Sequence, residues 1–317
     1  MLLAIAIAVL AVLALGAVLT VVGAASIARA HRPGGIFVPV TGGRLHVVDL
    51  APARQDGGPP VVLLHGASGN LEDMRLTLGN RLARSHRVII IDRPGHGFSD
   101  RPGGVADASP ARQAALIAEA LARLGVARAI IVGHSLGGAV ATAFALDFPA
   151  RTAGLVLLAP VTHPWKGGIS WYNTLASTPL LGPLFARTLA LPLGLMMFAP
   201  GVAGAFAPQQ PPGGYARGAS GKLLLRPSEF VANAQDLAAL KAFVTAQVPR
   251  YRDIAAPTVV ITGDRDTIVW PDTHARPIAT LIPQARLIVL DGIGHMLEHA
   301  APEAIATAID DVSAQVK

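Results

Sequence analysis

The 317-residue chain contains no cysteine. Disulfides, thiolate nucleophiles and cysteine-ligated metals are therefore excluded, while the redox compartment stays open, because an exported domain can also lack cysteine. Charge is scarce too: 15% of the residues are Asp, Glu, Lys or Arg, against roughly 25% in soluble domains. With 52% of the residues hydrophobic, an intrinsically disordered chain, which needs low hydrophobicity and high charge, is excluded. No collagen-like period and no repeat of roughly 20–50 residues is present. The formal charge is +6, but the basic residues are dispersed, with no Lys/Arg run and no patch interleaved with aromatics. Nucleic-acid binding is not indicated, and the positive surface suits anionic lipid headgroups instead.

The apolar excess is concentrated at one end. Residues 1–28 carry no charged side chain, and Thr20 and Ser26 are their only hydroxyls. As a helix the segment would extend about 42 Å at 1.5 Å per residue, more than the ~30 Å hydrocarbon core of a bilayer. A cleaved signal peptide would show a basic n-region and an apolar run of about 7–15 residues. This segment has neither, although Ala28-Arg29-Ala30 offers an A-x-A cleavage pattern. It is read as a retained single-pass membrane anchor, with a cleaved signal and a buried core helix as the alternatives. Arg29, Arg32 and Arg44 follow it, His31 can add charge, and no basic side chain precedes it. The Lys/Arg bias then predicts a folded domain on the cytoplasmic side; the alternative is export, with the domain outside.

Beyond the anchor, about 285 residues remain, long for one compact domain but normal for an α/β domain with an insertion. Strand and helix patterns alternate. Strand-like runs lie at 44–50, 60–65, 87–92, 128–133, 154–159, 257–262 and 286–290, several of them continuous, such as VVLLHG, RVIIIDR and TVVITGD. Continuous runs fit strands buried on both faces of a parallel sheet. Helix-like segments lie at 71–84, 110–124, 137–148, 272–282 and 302–316. Ser109-Pro110 reads as a helix start, with Ser as N-cap and Pro at the first position. The alternation predicts a doubly wound, mostly parallel α/β sheet. The sheet is expected to begin near Phe37, leaving residues 1–28 without core contacts. Between 161 and 250 the pattern breaks into Pro- and Gly-rich text with a hinge signal, APQQPPGG, before helical periodicity returns at 228–248. The expected organisation is an anchor at 1–28, a core in two parts at 29–160 and 251–317, and a mostly helical insertion at 161–250 over the C-terminal edge of the sheet.

The strongest chemical signal is Gly133-His134-Ser135-Leu136-Gly137, which follows the apolar run ARAIIV and opens a helix-like segment. G-x-S-x-G alone is a weak pattern, but between a strand and a helix it forms a nucleophile elbow. The turn is so tight that both glycines must lack side chains, and it lifts the Ser135 hydroxyl to the mouth of the sheet. The following helix N-terminus offers N–H groups to an oxyanion. A hydroxyl needs a base, itself oriented by an acid. Downstream, TVVITG ends in Asp264-Arg265-Asp266 and RLIVLDGIG ends in His295. Both sit just past strand C-termini, where open α/β sheets place their sites, and His295 is the candidate base.

These residues resemble the α/β-hydrolase superfamily, from about Phe37 to Val316. The motifs are His65-Gly66-Ala67-Ser68-Gly69, Asp92-Arg93-Pro94-Gly95-His96-Gly97-Phe98-Ser99, Gly133-His134-Ser135-Leu136-Gly137-Gly138, Gly263-Asp264-Arg265-Asp266 and Gly294-His295-Met296. The resemblance implies oxyanion donors at the backbone N–H groups of Ala67 and Leu136. It implies a scaffold role for the Asp92–Gly95 turn and His96, and a loop-shaping role for His65 and Gly66. It favours Asp266 over Asp264 as the triad acid, because Asp266 is followed by two residues and then Val269, although Trp270 stands where the family usually has proline. The insertion looks like the family's cap, and its Leu-, Met- and Phe-rich text suits an acyl chain.

Ser135 argues against the family's epoxide hydrolases and haloalkane dehalogenases, which use Asp at the elbow. No cofactor is implied, and no His/Asp/Glu cluster has metal-ligand spacing. The leading expectation is a membrane-anchored serine hydrolase of carboxylic esters, acting through an acyl-enzyme with Ser135, Asp266 and His295. A C–C bond hydrolase, amidase or peroxidase-like member of the same superfamily is the enzymatic alternative. A non-catalytic ligand receptor on this fold is the alternative of another class.

Overall fold

The computed structural model describes residues 1–52 and 58–316. Its strands are β1 (Ile36–Val40), β2 (Gly43–Leu50), β3 (Val61–Leu64), β4 (Val88–Ile91), β5 (Ala129–His134), β6 (Thr152–Leu158), β7 (Thr258–Gly263) and β8 (Arg286–Leu290). Among the described residues, the α-helices of six residues or more are α1 (Leu2–Ala30), α2 (Pro110–Arg123), α3 (Leu136–Asp147), α4 (Trp171–Ala176), α5 (Leu181–Thr188), α6 (Ala190–Phe206), α7 (Pro227–Gln247), α8 (Ala275–Leu281) and α9 (Pro302–Gln315).

The eight strands form one sheet in the order β1-β2-β4-β3-β5-β6-β7-β8. The β1–β2 and β2–β4 pairs are antiparallel, and every pair from β4 to β8 is parallel. The apolar runs explain this architecture. Side chains alternate across a strand, so Val62 and Leu64 face the layer of α2 and α3, while Val61 and Leu63 face the layer of α9. Both faces are covered, which is why the central strands are apolar at every position.

Strand β1 was not among the strand-like runs. Pro39 interrupts its pattern, and the strand is tolerated because it lies at the sheet edge. Pro110 opens α2 as expected, but the Ser109 side chain makes no capping bond. The Pro- and Gly-rich apolar text between β6 and β7 is largely helical: it holds α5 and α6, with Pro200 inside α6.

The expectation that residues 1–28 make no core contact is overturned. Helix α1 packs along α5 and α6. Thr20 Oγ1 donates to the carbonyl of Thr188 at 3.1 Å, deep in the contact. A Cβ on Gly16 would sit 2.5 Å from that same carbonyl, so only glycine permits the approach. Ile27 joins Leu191, Leu223 and Leu225 in one buried cluster. The sequence concealed this because the Pro- and Gly-rich text of the insertion does not show which of its helices would meet α1. The rest of α1 is bare: its most apolar window has mean hydropathy 3.0 and is 6% buried.

Deleting residues 1–28 should therefore lower stability and solubility. Fully exposing Leu191 alone costs about 1.5–3 kcal/mol. Thermal melts and light scattering of the truncated and full-length chains in the same detergent test this; identical melting and monodispersity would contradict the packing.

Candidate active site

Strand β5 ends at His134 and α3 begins at Leu136, so Ser135 makes the turn alone. Its φ of 53° and ψ of −118° lie where L-residues rarely go, a strain of about 1–3 kcal/mol. Hydrogen bonds hold it there. Ser135 N–H donates to Leu158 O at 2.9 Å, and Ser135 O accepts from Gly138 N–H at 2.9 Å and Val161 N–H at 3.0 Å. A Cβ on Gly137 would lie 2.5 Å from Leu64 O and 2.6 Å from His65 O, and one on Gly133 would strike Gly137 O. The turn thus requires both glycines.

His295 follows β8, and its Nδ1 lies 2.8 Å from Asp266 Oδ2. Asp266 Oδ1 accepts the N–H groups of Ile268 and Val269, each at 2.8 Å. Burial raises the Asp266 carboxyl. The His295 hydrogen bond and charge and the two amides outweigh it, and the net shift is downward. Asp264 is not part of this pair: its Oδ1 accepts from Gly292 N–H at 2.7 Å and closes the turn before His295.

The serine and histidine loops meet through His134, whose Nε2 donates to the His295 carbonyl at 3.1 Å; the two rings lie 4.7 Å apart. On the other side, a Cβ on Gly66 would lie 3.0 Å from Ser135 Cβ, so the loop carrying Ala67 passes against the serine. Among the described residues, the N–H groups of Ala67 and Leu136 have no acceptor, which leaves both free to receive an oxyanion.

That loop is pinned from behind. Arg93 is fully buried; its Nε donates to His65 O at 2.9 Å and one terminal nitrogen to Gly66 O at 3.0 Å. The other terminal nitrogen reaches Gln113 at 2.9 Å and Asp236 Oδ2 at 2.8 Å. Arg93 N–H donates to His65 Nε2 at 3.0 Å, so His65 carries its proton on Nδ1, facing Gly66 O at 2.8 Å. His65 and the Asp92–Gly95 turn are structural here. From α7, Asn233 Oδ1 accepts Ser68 N–H at 2.7 Å. From the APQQPPGG segment, Gln209 Oε1 accepts Gly294 N–H at 2.9 Å, and its Nε2 donates to Gly292 O at 2.7 Å. Asn233, Asp236 and Gln209 had no sequence signal, because each acts across more than 80 residues.

Glu298, three residues after His295, was also missed. It is fully buried, and its Oε1 lies 3.3 Å from His134 Nδ1. With the His134 proton on Nε2, two lone pairs would face each other unless Glu298 is protonated. Burial, and then the charge of Asp73, push Glu298 up to about 8, while burial, and then His295, lower His134 to about 3. The proton therefore belongs to Glu298 at neutral pH. Beside it, Asp73 Oδ1 accepts from His299 Nε2 at 2.9 Å and from Tyr215 Oη at 2.7 Å. Asp73, Glu298 and His299 bring ligand-type atoms within 4.8 Å of one another, and Glu298 Oε1 and Oε2 and His299 Nδ1 are buried without a hydrogen-bond partner among the described residues.

A family model described as alpha/beta hydrolase fold matches residues 59–299. The chain belongs to the alpha/beta hydrolase fold family. Lipase 1 of Psychrobacter immobilis is 30% identical over 251 residues, covering 75% of this chain and 72% of that protein. A dihydrolipoyllysine-residue acetyltransferase component of the acetoin cleaving system of Cupriavidus necator is 37% identical over 110 residues, and the match spans 29% of that protein. Among solved structures, the enol-lactonase of Burkholderia xenovorans LB400 superposes with TM-score 0.70 at 22% identity, over 87% of this chain and 99% of that one. A membrane phospholipase A superposes with TM-score 0.69 at 21% identity, over 99% of this chain and 96% of that one. At those identities the two structures share the fold with this hydrolase.

A neutral Glu298 has a pH signature. Its pKa is higher folded than unfolded, so its stabilisation is complete below about pH 4.5 and is lost as pH rises through about 8. Glu298→Gln keeps a neutral donor to His134 and removes the titration. The melting temperature of wild type minus that of Glu298→Gln should fall steadily across that window; a constant difference would show that Glu298 is ionised throughout.

Proposed function

We propose that this chain is a membrane-anchored serine hydrolase of carboxylic esters with apolar acyl chains. The observation that carries the reading is the strained Ser135 elbow packed against a His295–Asp266 pair. Ser135 Oγ attacks the ester carbonyl, and His295 takes its proton. Asp266, hydrogen-bonded at His295 Nδ1, leaves the other ring nitrogen as the base for the serine proton and stabilises the imidazolium. The oxyanion receives the N–H groups of Ala67 and Leu136, and collapse of the intermediate expels the alcohol, protonated by His295. Water then cleaves the acyl-enzyme by the same steps in reverse order. Lipase 1 among the relatives and the membrane phospholipase A among structures of the same fold support lipid-like esters. So does the unbroken apolar character of α6, from which esters could pass directly out of the bilayer.

Ser135→Ala and His295→Ala should each abolish fluorophosphonate labelling or reduce p-nitrophenyl ester turnover by about 10⁴–10⁶-fold. Asp266→Asn should cost nearly as much, and Asp264→Asn little. Wild-type turnover in Ser135→Ala would refute the nucleophile, and a severe Asp264→Asn with a mild Asp266→Asn would refute the choice of acid. Amide and diketone substrates in the same panel separate ester hydrolysis from amide and C–C cleavage.

The basic flank formed by Arg29 and Arg32 orients α1 with the catalytic domain in the cytoplasm. A C-terminal green fluorescent protein fusion should fluoresce, and an alkaline phosphatase fusion should be inactive. The opposite pair of results would place the domain outside.

A further inference from the structure

The packing of α1 on the insertion sets a depth. A hydrocarbon core of ~30 Å takes up about 20 residues of helix at 1.5 Å each, so a span beginning at Leu2 runs to about Val21. The corner between α5 and α6 touches α1 inside that stretch: the Thr188 carbonyl lies against Gly16 and accepts from Thr20 Oγ1. Leu189 reaches further still, lining an open apolar groove with Ala8, Val9, Val12 and Leu13. Gly16 lies about 8 Å inside the level of Val21, counted at 1.5 Å per residue. Starting the span later, or tilting it, moves the corner deeper.

We propose that the α5–α6 corner is itself a membrane-inserted element, immersed by about 8 Å or more in the leaflet next to the catalytic domain, with bilayer hydrocarbon as its partner. This rests on the reading of α1 as a span. The corner is built for such a solvent. In lipid an unpaired backbone polar group is costly, and at this break, where α5 and α6 meet at 69°, several of these groups are paired internally. Leu189 N–H donates to Phe185 O at 2.9 Å and Leu193 N–H to Leu189 O at 3.1 Å. The carbonyl of Thr188 takes the Thr20 hydroxyl, and the Thr188 hydroxyl donates to Leu184 O at 2.7 Å. The outward side chains are apolar: Leu180 is 88% exposed and Leu184 50%. From Thr178 to Phe206 the one charge is Arg187, whose stem can bridge an immersion of this size and leave its guanidinium among the headgroups. Beyond the level of Val21 the surface turns basic. Arg29, Arg32 and Lys222 are exposed there, and the His31 pKa is lowered by burial and then by Lys222 and Arg226, which places those two charges close to the end of α1. A basic rim above an apolar wedge matches anionic headgroups above hydrocarbon.

The absence of cysteine makes the test direct. Val12→Cys on α1, Leu184→Cys on α5 and Thr280→Cys on α8 are introduced singly into the full chain and labelled with a polarity-sensitive fluorophore. Each is reconstituted in phosphatidylcholine–phosphatidylglycerol vesicles, with lipids carrying an acyl-chain nitroxide or with aqueous iodide. Leu180→Cys, at a site without packing to lose, replaces Leu184→Cys if the latter loses ester hydrolysis. The expected result is nitroxide quenching at Val12 and Leu184 with little iodide quenching, and the reverse at Thr280. Iodide quenching at Leu184 with nitroxide quenching at Val12 would overturn the immersion and leave the anchor standing. Iodide quenching at all three would overturn the anchor as well. Protection of Leu184 from both quenchers, with cross-linking between copies through that cysteine, would assign the face to a second copy and overturn the proposal.

Discussion

A guanidinium without access to water organises this molecule. Arg93 cannot shed its proton, so its burial is tolerable only with a counter-charge and filled donors. The donors are filled by the carbonyls of His65 and Gly66 and by Gln113, and the charge is met by Asp236. His65 and Gly66 belong to the loop that presents Ala67. Asp236 belongs to α7, more than 140 residues further along the chain. One cation thus fixes the loop that carries Ala67 and welds the insertion to the core. An uncompensated buried charge costs about 3–5 kcal/mol, so insertion and core are not energetically separable, although the sequence presents them as two regions.

A second buried proton problem lies at the histidine end. Glu298 and His134 together fix the backbone of His295, just as Arg93 fixes the loop at Ala67. Both convert desolvation, which would otherwise be destabilising, into positional constraint on the backbone around Ser135 and His295. Ser135 needs that constraint, because its backbone conformation is unfavourable in isolation and survives only where neighbours over-determine it.

What the sequence revealed and what it hid divide along the same physical line. The elbow, the strand runs and the Asp266/His295 positions were legible because each is decided locally: by a clash that only glycine avoids, by period-two burial, by the end of a strand. The stripe Glu229, Asn233 and Asp236 on α7 was not. At helical spacing it reads as a solvated face, yet all three are buried, and each serves a group far away in sequence. Within the expected helical insertion the bounds of α5 and α6 were not legible, because their proline and glycine content argues against helix in water; packing against both α1 and α7 holds them.

The insertion therefore meets both α1 and the core through one small body. Ala176, Phe185, Ala186 and Ala190 of α4–α6 pack on Phe230 and Ala234 of α7. On the same helix, Asn233 accepts from Ser68 N–H, and Asp236 accepts from Arg93, which in turn holds the carbonyls of His65 and Gly66. Contact runs without a gap from the surface that meets α1 to the amides beside Ser135. A chain of contacts is a route and not yet a coupling, which requires an element with two arrangements that both ends bias. The 69° corner is the place where such an element could reside. Its freed carbonyl is held by the hydroxyl of Thr20, so α1 itself contributes a bond that holds the corner.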